Sequence, residues 1–172
     1  MLRGLLAAIS VVILTACATP ATHEGMTVAQ SDLPAQRNEA LNGAMYLGSV
    51  SGGEETNPLW TSEVDALSFR QALDGSLQVA GYKGAEADGN YRVDAKLLEL
   101  HQPHFGMTFD VVSNVEYKLT RNGQVRVFPV TATGTATVSD AFVAIERLRL
   151  ANERSMKENI RIFLAQVSSK LR

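Results

Sequence analysis

The chain has 172 residues, a formal charge of −2 and 45% hydrophobic residues, enough for one domain with a buried core. Its 16 basic and 18 acidic residues leave no basic excess of the kind nucleic-acid binding requires. The single cysteine excludes an internal disulfide framework.

Met1–Gly4 carries one positive charge, Arg3, and Leu5–Ala16 follows as an uncharged apolar run. That run is too short for a bilayer span, which needs about 20 residues. It matches a secretory signal: a positive start, a short apolar core, then small residues. Leu14-Thr15-Ala16-Cys17 resembles the bacterial lipobox. The resemblance implies that residues 1–16 are a signal peptide, cut before Cys17. It also implies a diacylglyceryl thioether on the Cys17 thiol and acylation of the new amino group. Two other readings stay open: ordinary cleavage after Ala18, since Ala16-Cys17-Ala18 has small residues at both recognition positions, and a buried structural cysteine. Ala18 in place of an aspartate resembles outer-membrane-directed lipoproteins, so the expected address is the outer membrane, lipid-anchored, on its periplasmic face.

Residues 17–40 are small and polar and include two prolines, which reads as a lipidated flexible tether. The domain proper is then expected over 41–172. A first strand is predicted near Ala44–Val50, and Ser51–Trp60 is a glycine-rich polar loop closed by Pro58. Gly52-Gly53 lacks the continuation of a phosphate-binding loop and reads as a turn. A helix is predicted over 62–80, capped by Thr61 or Ser62, with Val64, Leu67, Phe69, Leu73 and Leu77 at helical spacing and Gly81 at its end.

Tyr91, Val93, Ala95 and Leu97 alternate with charged residues as in a half-buried strand, and the blur at Leu97-Leu98 suggests a bulge. After a connection over His101–Met107, Phe109 to Leu119 alternates again. Asn122-Gly123 predicts a tight hairpin, because both turn positions need positive φ. The returning strand, Val125–Val138, changes phase at Pro129, where a bulge or an edge position is expected. Thr131, Thr133, Thr135 and Thr137 line its wetter face. Ser139 or Asp140 caps a long amphipathic helix from Ala141 to about Lys170, which has no Gly or Pro. Asn159 on its inner face reads as structural.

These elements predict an α+β two-layer sandwich: an antiparallel sheet with two helices on one face, in the order β-α-β-β-β-α. No catalytic constellation emerges. His101 and His104 stand three apart around Pro103, unsuited to a helical zinc pair, and "GSVSG" at 48–52 has valine where a nucleophile would stand. Neither a metal nor a cofactor is expected. The last helix is basic, and Arg147, Arg154 and Arg161, seven apart, form one line, which reads either as an ordinary solvated helix face or as a surface for an anionic ligand such as lipid or lipopolysaccharide phosphates.

With lipobox, tether and this element order, the chain resembles small Gram-negative lipoproteins of the α+β type, a group that includes LPS-assembly lipoproteins and ABC-transport auxiliary lipoproteins. "VSGGEETNPLW", "FRQALDGSL", "YRVDAKLLEL", "VEYKL" and "MKENIRIFLAQV" carry the resemblance. It implies a non-enzymatic accessory protein, bound to the membrane by its anchor and to an envelope protein or a lipid or LPS ligand. An envelope enzyme such as an acyltransferase, or a peptidoglycan- or glycan-binding domain using the threonine row, is the alternative.

Overall fold

The computed structural model describes residues 19–34, 37–55, 61–87 and 89–171. The expected signal segment and Cys17 lie outside the described residues, as does the 56–60 part of the predicted loop.

Four strands, β1 (Met45–Gly52), β2 (Tyr91–His101), β3 (Thr108–Arg121) and β4 (Gln124–Thr137), form one sheet in sequence order. The helices α2 (Ala66–Val79) and α3 (Ala144–Lys170) cover one face of it, as the α+β sandwich reading requires. The sheet is mixed rather than wholly antiparallel, because β1 pairs with β2 in parallel. The physical reason is the connection: α2 lies between them, and a helical crossover returns the chain in the same direction.

The ladder details follow the side-chain pattern. Asn122 and Gly123 adopt φ of 51° and 75°, giving the tight β3–β4 turn. β2 slips register between Leu97 and Glu99, the bulge that the blurred alternation announced. Pro129 pairs opposite Glu116 in an unbroken register, so it is tolerated because β4 is an edge strand. Helix starts differ from expectation. Asp65, not Thr61 or Ser62, caps α2 by accepting from the Ser68 N–H at 2.8 Å, and Leu67 points outward. α3 starts at Ala144 behind Val143, with no side-chain cap.

The main core is aromatic. Tyr117 stacks on Phe163 with centroids 4.0 Å apart, and Phe69 and Phe128 meet this pair edge-on. A smaller cluster, centred on Phe109, Val111, Ala136 and Leu148, lies towards the other end of the sheet. A buried polar band separates them: Asn159 accepts from the Tyr117 hydroxyl at 2.9 Å and donates to the carbonyls of Ser113 and Val130, both at 3.1 Å. Burial pushes the Tyr117 hydroxyl well above its usual range. Asn159 is thus structural, as its inner-face position suggested. α3 crosses β4 at Gly134, where a Cβ would collide with the backbone of Ala151 and Ser155.

The stretch expected as a flexible tether is the largest departure. Residues 19–34 are packed against the domain, with a short helix α1 (His23–Met26) set between α2 and α3. Ala21, Met26 and Val28 are buried, and the Thr22 N–H and hydroxyl both bond to Glu153 Oε1, at 2.9 and 2.8 Å. The Val28 N–H bonds to Ser76 Oγ at 3.0 Å. Further on, Asn38 Nδ2 donates to the carbonyls of Ser168 and Leu171. This strap therefore runs along α3 from its Glu153 level to its C-terminal end.

Candidate functional site

The expected anionic-ligand line of Arg147, Arg154 and Arg161 is not an open basic face. Arg154 donates to the Thr135 carbonyl and pairs with Asp140, both at 2.6 Å. Arg161 grips both carboxylate oxygens of Glu158, at 2.7 and 2.6 Å. These pairings hold the Asp140 and Glu158 carboxyls below their usual range. Regular seven-residue spacing aligns the Cα positions, but Arg154 and Arg161 are paired locally and Arg147 is turned inward, its Nη1 and Nη2 bonded to carbonyls and its buried Nε without a partner among the described residues.

Arg147 is the most altered from its expected role: it is only 5% exposed. Its Nη1 donates to the carbonyls of Ala141 (2.9 Å) and Phe142 (2.7 Å), and its Nη2 to the carbonyl of Gly106 (3.1 Å). Its guanidinium also stands 5.2 Å from the centre of the Phe109 ring. Among the described residues no carboxylate pairs with it. Its planar fork suits this task, since two nitrogens reach carbonyls on two separate loops. One buried side chain therefore ties the β2–β3 loop to the β4–α3 loop.

What the pinned loops present is apolar. Phe105 and Phe142 are 87% and 92% exposed, Met107 is 73% exposed, and Val138 and Val143 are also exposed. Thr108 pairs with Thr137 at this end of the ladder, so Met107 and Val138 leave the sheet side by side. These five side chains come from both loops and crown one end of the sandwich. Sequence reading passed over them, since "HFGM" and "AFVA" look like a connection and a helix start.

An open cleft of about 590 Å³ lies beside this end, lined by residues such as Glu54, Glu63, Leu98, His101 and Leu148. Glu63 receives a hydrogen bond from Gln102 at 3.1 Å, and burial raises its carboxyl pKa. His101 and His104 both border the cleft. Among the described residues no group of three or more His, Cys, Asp or Glu gathers to hold a metal. The Thr row of β4 faces the uncovered side of the sheet, where Thr131 and Thr135 donate to Asn114 and Asp110, both at 2.6 Å. None of these groups forms a nucleophile, base and acid in sequence of contact.

Thr19, the first of the described residues, reaches the same region. The Thr19 carbonyl accepts from Ser62 Oγ at 2.8 Å, and the Ser62 carbonyl in turn accepts from Gln102 (2.9 Å) and Asn152 (2.7 Å). Gln102 stands in the β2–β3 loop, three residues before Phe105. Among the described residues no helix is long and apolar enough to cross a membrane.

No protein-family model and no curated protein matches the chain. Among solved structures it is similar to protein XCC0632 from Xanthomonas campestris, of family DUF330, at 10% identity and a TM-score of 0.47, over 80% of this chain and 92% of that one. It is also similar to an uncharacterized protein at 16% identity and a TM-score of 0.45, over 85% and 88% of the two chains.

Proposed function

We propose that the chain is a lipoprotein of the bacterial envelope, anchored in the outer membrane by an acylated Cys17, acting as a non-catalytic accessory module that binds an envelope protein or a lipid-bearing ligand. The observation that carries this reading is the position of the sole cysteine. It ends a lipobox-like Leu14-Thr15-Ala16-Cys17 and stands two residues ahead of Thr19, whose carbonyl is bonded to Ser62 of the domain. Two or three acyl chains at that point would hold the domain far more firmly than the marginal grip of one. The non-catalytic part is supported by how the polar groups are used: the arginines of α3 and the Ser113–Asn159 band are bound to neighbouring protein groups.

Intact mass and detergent-phase partitioning of the expressed protein, beside Cys17→Ala, test the anchor. Loss of residues 1–16, a gain of acyl mass and partitioning into detergent, all abolished by Cys17→Ala, are the expected results. An unmodified, aqueous-phase protein cut after Ala18 would contradict the reading.

A further inference from the structure

We propose that the apolar end built by the β2–β3 and β4–α3 loops is a membrane-contact surface: Phe105, Met107, Phe142 and Val143 enter the headgroup–acyl boundary of the bilayer that holds the anchor. The proposal rests on the lipoprotein reading for the anchor but on separate residues for the contact.

The first argument is where the chain leaves the domain. From Asn38 back to Thr22 the N-terminal strap follows α3 from its C-terminal end towards its start. Thr19 stands beside Ser62, within one residue's reach of Gln102 and Asn152. Asn152 is eight residues into α3, about 12 Å from its first residue at 1.5 Å per residue. Two more residues, Ala18 and Cys17, add at most about 7 Å of chain. A lipid on Cys17 therefore keeps this end of the domain at the membrane, and no long tether lets the domain turn another face to it.

The second argument is chemical. Phe, Met and Val exposed together on loop tips carry an energetic penalty in water and are apt for the bilayer boundary, where amphipathic and aromatic groups gather. Pro103–Met107 and Ala141–Val143 contain no acidic side chain that anionic headgroups would repel. Nearby Asp140 is already paired with Arg154. The backbone carbonyls of Gly106, Ala141 and Phe142, which would be left unsatisfied in apolar surroundings, are turned inward onto Arg147. The buried guanidinium thus lets the loops present side chains outward while three of their backbone acceptors are already bonded.

The test uses benzoylphenylalanine, a photocrosslinker shaped like phenylalanine, placed at position 142 and, as control, at Val125 beside the opposite hairpin. Both sites are exposed, so neither replacement disturbs the core. The mature chain is coupled through its only cysteine to a maleimide-bearing lipid in phosphatidylcholine–phosphatidylglycerol vesicles, which removes any dependence on acylation in the cell. Irradiation is expected to give about tenfold more lipid adduct from position 142 than from 125, as when one end is held in the interface and the other in water. Equal lipid yields at both positions, or adducts from 142 to a second protein copy, would overturn the proposal. Adducts at 142 on the coupled chain, alongside an unacylated natural protein, would instead retire the anchor and leave the contact surface standing.

Discussion

The two ends of the β3–β4 ribbon are built from opposite materials. At the hairpin end the turn is Asn122-Gly123, flanked by Arg121, Gln124 and Arg126, and Arg121 lies over the Tyr91 ring at 4.8 Å. Its exposed apolar residues, Val125 and Val127, sit within the edge strand and project from the uncovered sheet face, where β-branched residues suit the strand. At the other end the charge is inside and the aromatics are outside: Arg147 is buried and Phe142 is bare. An ordinary solvated turn needs neither arrangement. The Arg147 end thus turns apolar side chains outward over a buried charge, whereas the hairpin turn itself presents charged and polar ones.

The largest break in that contrast should come from Arg147→Met. Methionine keeps much of the length but leaves three loop carbonyls without their donor, so urea unfolding should show a loss of about 2–4 kcal/mol. Arg126→Ala at the hairpin end, where among the described residues the side chain donates to the Lys170 carbonyl alone, at 3.3 Å, should stay within about 0.5 kcal/mol. A smaller effect is expected from Gly123→Ala, which forces an alanine to a φ of 75° and should cost about 1 kcal/mol despite open space around it.

Acid sharpens the contrast next. Arg154 lowers the folded pKa of Asp140 below its unfolded value, so the stabilisation is present above about pH 4 and is lost as pH falls through the folded pKa. A urea midpoint that declines with acidification in wild type, and less steeply in Asp140→Asn, is the expected pattern. The smallest effect on folding belongs to the double variant Phe105→Ser/Phe142→Ser, which should shift stability by no more than about 0.5 kcal/mol because both rings are exposed. If it destabilised the domain substantially, those rings would be packing elements and not a surface.

Much of the fold was legible because its signals are local. The period-two alternation from Tyr91, the Asn122-Gly123 turn, the edge role of Pro129 and the inward Asn159 all depend on near neighbours in sequence. The parallel β1–β2 pairing was also readable, since a helix between two neighbouring strands demands a crossover, but the hairpin signal further on drew the whole sheet into one antiparallel reading. The strap over 19–34 was not readable. Ala21, Met26 and Val28 follow no helical or strand period, and they are buried only because α2 and α3 leave a slot between them. Arg147 misled for a related reason: helix periodicity fixes the face of α3, whereas its burial depends on two loops distant in sequence closing over it.

Hydrogen–deuterium exchange on the chain linked to vesicles through Cys17, against the free Cys17→Ala chain, tests the asymmetry of the two ends most directly. The account predicts slowed exchange over 103–107 and 140–143 on the membrane, with 121–125 unchanged. Slowing at the hairpin end, or none at either end, would contradict it.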